Sequence, residues 1–379
     1  MSAIRARKAI SPLVVRELWF LAGGRCEYRA CNRLLSRDSI TKGKINKAYI
    51  SHIIAARPKG PRGDKVLSKQ LEISLENLML LCDECHNRID KAEVENHPKD
   101  FLLEMKKEHE ERIELVTGIN FDKDTHIVIY KSSIGEHTPS ITHQEANACV
   151  IPNYYPAEVN PIDLSIGNNL LNNGSDSYWI NEVRNLELQF EKKIYPKILR
   201  NEIRHISIFA FAPMPLLIKL GTLINDIHKA EIHQPIRTPF SWNLDTGGTG
   251  EDYIIMSPKE KYKKVALNIS LSADVNDERI TDVLGLSTSI YRLTIQEPFN
   301  DYLRTKRSLD NFSIAIRKLF NQIKKECNAQ TPLHIFPSMP IATAIELGRS
   351  WMPKADMPLI IYDENKSRTG FYKTIEIDK

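Results

Sequence analysis

Four of the six cysteines fall into two close pairs, Cys26-x4-Cys31 and Cys82-x2-Cys85, and this spacing constrains the N-terminal third of the chain more than any other feature. Two such pairs at loop or element ends are the pattern of a tetrahedral zinc cage, and four thiolates leave no open position on the ion for water. The expected site is therefore structural, with Cys26, Cys31, Cys82 and Cys85 as its ligands. A small region with two short strands has little core of its own, so the metal would supply much of its folding energy. The N-terminus, "MSAIRARKAI", runs into "SPLVVRELWFLAGG", which reads as an amphipathic helix with no small-residue cleavage site. That predicts a cytoplasmic chain whose clustered thiols stay reduced and serve a metal rather than disulfides. Cys149 and Cys327 are solitary and read as core residues.

The chain has 379 residues and a net charge of +4, which hides an asymmetry. Residues 1–70 hold sixteen Lys+Arg against four acidic residues, leaving 36 basic and 44 acidic residues in the remainder, so the two parts carry +12 and −8. A concentrated basic segment fits a polyanionic partner or a solvated basic face; charge alone does not separate them. No stretch approaches the ~20 apolar residues of a membrane helix. "ISIFAFAPMPLLI" (206–218) is too short and holds two prolines.

In the N-terminal part, helices are expected over 11–23 and 98–118 and strands over 47–55 and 74–81. "ARPKGPRGDK" (56–65) is a loop, and "DECHNRIDKAE" (83–93) starts a helix. From Phe121 onward strands and helices alternate, the mark of α/β architecture. Strands are expected at 125–132, 203–212, 263–275, 332–339, 357–365 and 370–377. Helices are expected at 215–230, 309–328 and 340–352, and a polar, Asn-rich stretch lies at 160–176. A weak internal repeat pairs "HISIFAFAPMP…KLG" (205–221) with "HIFPSMP…ELG" (334–348), although Met to Gly spans seven residues in one copy and nine in the other. The boundary falls near residue 118, giving domains 1–118 and 119–379.

The stretch "LMLLCDECHNRID" (78–90) places His86 directly after the second cysteine pair, on the first turn of a helix. His52 ends the preceding strand and Asn77 opens the next. The set "CEYRAC…ISHIIA…ENLMLLCDECHNRID" resembles an HNH endonuclease of the ββα-metal fold, in its zinc-stapled variety, over roughly residues 11–115. The resemblance implies His52 as the general base that deprotonates an attacking water. It implies His86 as a ligand to one Mg²⁺ (or Mn²⁺ or Ni²⁺) ion that offsets charge on a phosphodiester, and Asn77 as the residue that fixes the hairpin. Many family members carry Asp just before the first His or Glu three residues before it; here those positions are Ser51 and Tyr49. Asp90, four residues after His86 and on the same helical face, is the candidate to supply a carboxylate, directly or through water. Arg57, Lys59, Arg62 and Lys65, on the loop between His52 and Asn77, are expected to meet DNA phosphates.

In the second unit, strands ending in "APMP" and "PSMP" feed helices whose first amides can attract phosphate. Open α/β sheets bind ligands beyond the carboxyl ends of their strands. "HIFPSMPIATAIELGRSWMPKADMPLIIYD" (334–363) resembles the SAVED domain, two fused CARF-like, Rossmann-like halves that sense cyclic oligonucleotides. Pro213, Met214, Ser338 and Met339 at the two corners, Ser272 after another strand, and Trp242 and Tyr372 as base-stacking aromatics are the expected ligand residues.

HNH followed by SAVED is similar to the effector nucleases of CBASS anti-phage systems. The expectation is a cyclic di- or trinucleotide-activated endonuclease that self-associates into a dimer or tetramer and degrades double-stranded DNA. A modification-dependent HNH restriction nuclease is a second reading, disfavoured by the acidic C-terminal part. A non-catalytic nucleotide sensor with a DNA-binding zinc module is a third, favoured by Ser51.

Overall fold

The computed structural model describes residues 8–38, 40–134, 141–166, 173–328, 330–364 and 370–378. The chain divides into two compact units, Met1–Asn120 and Phe121–Lys379.

The first unit begins with α1 (Pro12–Leu21), where Ser11 Oγ accepts from the Val14 amide and Pro12 starts the helix, a position at which its missing N–H costs nothing. β1 (Ala48–His52) pairs antiparallel with β2 (Leu78–Cys82), His52 opposite Leu78 and Ala48 opposite Cys82. A short helix, α2 (Leu67–Gln70), lies in the connection. All five residues of β2 are buried. Cys82 closes β2 and opens α3 (Asp83–Asn87), which continues as a π turn over Arg88–Ala92. The long α4 (Lys99–Thr117) follows.

The strand expected over 74–81 is shorter at its start. Leu75–Asn77 form a 3₁₀ turn, because the Asn77 amide bonds to Ser74 O (3.0 Å) while the Asn77 side chain is committed to the opposite loop. Likewise β1 stops at His52, where the Ile53 amide turns to Asn77 O (2.9 Å).

The second unit holds two sheets. The first half contributes β3 (Asp124–Lys131), α5 (His143–Val150), β4 (Tyr155–Pro156), β5 (Ile162–Asp163), α6 (Asp176–Lys193), α7 (Tyr195–Leu199), β6 (Ile206–Phe211), α8 (Met214–Ile224) and β7 (Ala230–His233). Its sheet runs β4-β3-β6-β7 with β5 also on β3, and every pairing is parallel. The second half contributes β8 (Ile254–Met256), β9 (Lys264–Ser270), α9 (Asp277–Leu284), β10 (Thr288–Thr294), α10 (Lys306–Glu326), β11 (Leu333–Ser338), α11 (Ile341–Ser350), β12 (Leu359–Glu364) and β13 (Phe371–Ile377). Its sheet runs β13-β12-β11-β9-β10-β8, parallel at its centre and closed by antiparallel β13 and β8. One hydrophobic core joins the halves, drawing on β6, α8, β9, α10, β11 and α11.

The α/β alternation is as expected, with two differences. The helix expected over 215–230 ends at Ile224, because Asn225 adopts φ 51° and turns the chain toward β7; Asn tolerates this left-handed conformation better than most residues. The strands β4, β5, β7, β8 and β10 and the helices α5, α6, α7 and α9 were not anticipated. Residues 167–172 of the Asn-rich stretch lie outside the described residues.

Candidate functional site

In the first unit the four cysteine sulfurs lie within 4.8 Å of one another, contributed by the loop after α1 and by the β2–α3 junction. Cys31 and Cys82 Sγ are 3.9 Å apart. A zinc ion with bonds of about 2.3 Å sets sulfurs about 3.8 Å apart on a tetrahedron, so the cage fits it. The Cys82 amide donates to Cys26 Sγ (3.3 Å), and hydrogen bonding from the Cys85 thiol leads in drawing the Cys26 thiol down to about 5. Both favour the thiolate of Cys26, while donation to that thiolate pushes the Cys85 thiol up and burial pushes the Cys31 thiol up, so an ion in the cage would have to draw off those protons.

Beside the cage, Ser51 Oγ lies 2.8 Å from His86 Nδ1 and donates to Asp90 Oδ2 at 3.2 Å. His86 Nδ1 and Asp90 Oδ2 are 3.3 Å apart. Three donor atoms from β1, α3 and the π turn thus converge. Cis ligands on an octahedral ion with bonds of about 2.1 Å are about 3.0 Å apart, so this set fits one divalent ion. Tyr49, two residues before Ser51 on β1, stacks on the His86 ring at 4.9 Å and 15°. The flat stack holds the plane of the histidine ring.

His52 follows Ser51 at the end of β1. The buried His52 ring sets Nε2 2.8 Å from Glu72 O. A carbonyl only accepts, so Nε2 carries the proton and Nδ1 is the basic nitrogen. Asn77 clamps the hairpin: its Oδ1 accepts from Ile54 N (2.7 Å), and its Nδ2 donates to Ile54 O (2.8 Å) and Leu71 O (3.1 Å).

Arg62 is not a phosphate contact. Its side chain is 7% exposed and is spent internally, on Ile53 O, Ile89 O and Asp90 Oδ1. Arg57, Lys59 and Lys65 on the same loop are exposed. The roles of Tyr49 and Arg62 were missed because each depends on a partner far along the chain.

In the second unit the expected ligand residues divide. Ser338 and Ser272 meet at the carboxyl end of the six-stranded sheet, where Ser338 O accepts from the Leu271 and Ser272 amides (both 2.8 Å) and Ser338 Oγ from Ala273 N (3.1 Å). Tyr372 stands at the same end, because β13 sets it opposite Asp363 near the end of β12. Its hydroxyl donates to Asn173 O (2.6 Å) and its ring packs edge-on to Trp179. Asn173 Nδ2 also reaches Asp363 Oδ2 (3.4 Å). Burial pushes the Asp363 carboxyl up to about 7, so at neutral pH this end carries less negative charge than its residues suggest.

Three expectations are corrected. Trp242 is 4% exposed and packs edge-on to Phe209 in the core, so no base can stack on it. Met339 is likewise a core residue at 4% exposure, and Pro213 is buried, so at these corners only the backbone is placed for a ligand; Met214 is half-buried. Neither helix start is a ready phosphate cradle. The Ala342 amide in the first turn of α11 is taken by Gln234 Oε1 (2.9 Å), and Pro215 in the first turn of α8 has no N–H.

The family model for the SMODS-associated and fused to various effectors sensor domain, SAVED, matches residues 186–377, just over half of the chain. The chain belongs to the SAVED family. Among solved structures it is similar to the Acinetobacter baumannii Cap4 SAVED/CARF-domain containing receptor with the cyclic trinucleotide 2'3'3'-cAAA, at 14% identity and TM-score 0.44, over 82% of this chain and 61% of that one. The same receptor with 3'3'3'-cAAA gives 16% and 0.43, over 82% and 62%. Moraxella osloensis Cap4 gives 12% and 0.38, over 82% and 70%. The chain thus spans about three fifths of the length of the Acinetobacter receptor. No curated protein matches it. No helix among the described residues is long and apolar enough to cross a membrane.

Proposed function

We propose that this protein is a cyclic-oligonucleotide-gated, metal-dependent HNH endonuclease that degrades double-stranded DNA in bacterial anti-phage defence of the CBASS type. The observation that carries the nuclease reading is the convergence of Ser51 Oγ, His86 Nδ1 and Asp90 Oδ2 within 3.3 Å of one another, one residue along β1 from His52. Membership of the SAVED family carries the sensor reading.

His86 and Asp90 would hold the divalent ion, with Ser51 as a neutral oxygen ligand, and the ion supplies charge stabilisation at the scissile phosphate. Ligation by an imidazole also suits Mn²⁺ or Ni²⁺. His52, with its Nε2–H donated to the Glu72 carbonyl, presents Nδ1 to take the proton of an attacking water, the work of a neutral imidazole near pH 7. Asn77 keeps the His52 end of the hairpin in place. Arg57, Lys59 and Lys65 offer phosphate contacts that position DNA without reading its sequence. Zinc in the four-cysteine cage holds the unit together. In the sensor, Ser272, Ser338 and Tyr372 mark the carboxyl end of the six-stranded sheet, where a cyclic di- or trinucleotide would bind. Ligand binding would drive self-association into dimers or tetramers, in the cytoplasm, and so switch on the nuclease.

The test is plasmid cleavage by the purified protein with Mg²⁺ or Mn²⁺, with and without a panel of cyclic di- and trinucleotides. Cleavage that needs one ligand and vanishes in His52→Ala is expected. Cleavage regardless of ligand would favour a modification-dependent restriction enzyme. A second reading, a sensor with a DNA-binding zinc module, draws on the neutral Ser51 and on the Arg62 pairing of Asp90. DNA binding without cleavage under any condition would favour it.

A further inference from the structure

We infer that Arg62 is a positioning residue for the metal site, joining the strand that bears His52 to the turn that bears Asp90; this rests on the nuclease reading above. The guanidinium makes bonds in three directions. Nε donates to Ile53 O (2.7 Å), Nη1 to Ile89 O (2.7 Å), and Nη2 to Asp90 Oδ1, with His52 O at 3.5 Å. A planar, delocalised fork can serve the backbone and the carboxylate in one plane, which an ammonium cannot. Arg62 takes one oxygen of Asp90 and leaves Oδ2 directed at Ser51 and His86. The carboxylate is thereby fixed as a one-oxygen ligand. The same side chain fixes the carbonyls immediately after the base and before Asp90, so the spacing of base and metal set depends on it.

Two further features point the same way. Arg62 adopts φ 53°, a left-handed backbone that side chains rarely take. Such strain persists where surrounding contacts over-determine it, and it gathers at functional sites. Asp90 lies in the π turn Arg88–Ala92, an irregularity also frequent at such sites. The fold spends a strained residue and a widened helical turn on this single arrangement.

The test measures Mn²⁺ binding by loss of the free-ion electron paramagnetic resonance signal, on full-length protein loaded with zinc. Zinc content and thermal midpoint serve as fold controls. The variants are Arg62→Gly, which suits the left-handed backbone, Arg62→Lys, which keeps the charge without the fork, and His86→Ala. Partners that orient metal ligands typically contribute 10–100-fold in affinity. The expected result is a Mn²⁺ affinity reduced about 10–100-fold in Arg62→Gly, partly recovered in Arg62→Lys, with zinc and midpoint retained. A matching fall in ligand-activated kcat at saturating DNA, with KM for DNA unchanged, would separate positioning from phosphate contact. Wild-type affinity in both Arg62 variants, with His86→Ala defective, would overturn this role while leaving the metal site standing. Equal binding by wild type and His86→Ala would instead remove the metal site and this role together. Loss of zinc and fold in both Arg62 variants would make Arg62 a fold determinant and also overturn the proposal.

Discussion

Gly221 and Gly348 face each other where α8 crosses α11. A Cβ on Gly221 would stand 2.0 Å from Ile345 O, and one on Gly348 would stand 2.0 Å from Ile218 O. The relation is reciprocal: each glycine meets the carbonyl three residues before the other. The two copies of the weak repeat, 205–221 and 334–348, thus end on a shared contact near a local two-fold. Alanine ordinarily favours a helix over glycine by about 1 kcal/mol, but here there is no room for its methyl. Gly221→Ala and Gly348→Ala should each destabilise the second unit by about 1–3 kcal/mol or more. Once one methyl has forced the helices apart the second costs less, so the double variant should fall short of additive. Urea unfolding curves would show this; a stabilised Gly221→Ala would refute the contact.

That pair shows what was legible in the sequence. The weak repeat, each copy ending in Leu-Gly, suggested two similar halves. What the sequence did not show was that the glycines of different copies meet each other. The cysteine spacing pointed to a cage whose sulfurs do lie together, because both pairs are local and only one long-range contact completes them. Arg62 looked like a phosphate contact because it sits in a basic loop, and its burial depends on carbonyls at Ile53 and Ile89. Trp242 looked available because its neighbours are polar, yet its ring is buried against Phe209. β10, "TSIYRLT", carries the β-branched and aromatic residues of a strand and could have been found. β7 is four residues long and follows directly on the expected helix, so local pattern had little to offer.

Zinc bound in the cage would be a folding determinant of the first unit. Apparent binding energies of structural zinc run to about 10–16 kcal/mol, more than a small unit has to spare. One zinc per chain is expected, released by a thiol-blocking reagent and detected with a chromogenic chelator. Cys85→Ser should lose the metal and the cooperative unfolding of the first unit, while the transition of the second unit stays in place. Retained zinc in Cys85→Ser would remove Cys85 from the ligand set.

Asn77 is expected to be intolerant for a stated reason. Its side chain satisfies both the amide and the carbonyl of Ile54, and Asn77 itself is buried. Asn77→Ala leaves those two groups buried without partners, at about 1–3 kcal/mol each. Asn77→Asp keeps the acceptor for Ile54 N but loses the donors to Ile54 O and Leu71 O. Both variants should lower the first unit's thermal midpoint and abolish cleavage together. An inactive Asn77→Ala with unchanged stability would instead assign Asn77 a direct role with substrate.

His205 should give the second unit a pH-dependent stability in mildly acid solution. The ring is 9% exposed and stacks on Tyr154 at 4.0 Å, with Nδ1 2.9 Å from Thr125 Oγ1. Burial is the main cause that lowers its pKa to about 4; nearby Glu231 opposes this, and His233, Lys306 and Lys123 add to it. The unfolded histidine titrates near 6.5. Between these values the unfolded state binds more protons than the folded state, so stability rises with pH. The contribution is fully present above about pH 6.5 and is lost as pH falls through the folded value of about 4. Its size is on the order of 3 kcal/mol at most. Urea unfolding followed by tryptophan fluorescence from pH 4 to 8 would trace the wild-type slope. Since His205→Phe keeps the stack on Tyr154 but cannot titrate, the difference between its curve and the wild-type curve cancels the carboxylates common to both. That difference should be constant above about pH 6.5 and change with pH only below it. Parallel curves throughout would show that His205 titrates alike in the folded and unfolded chains.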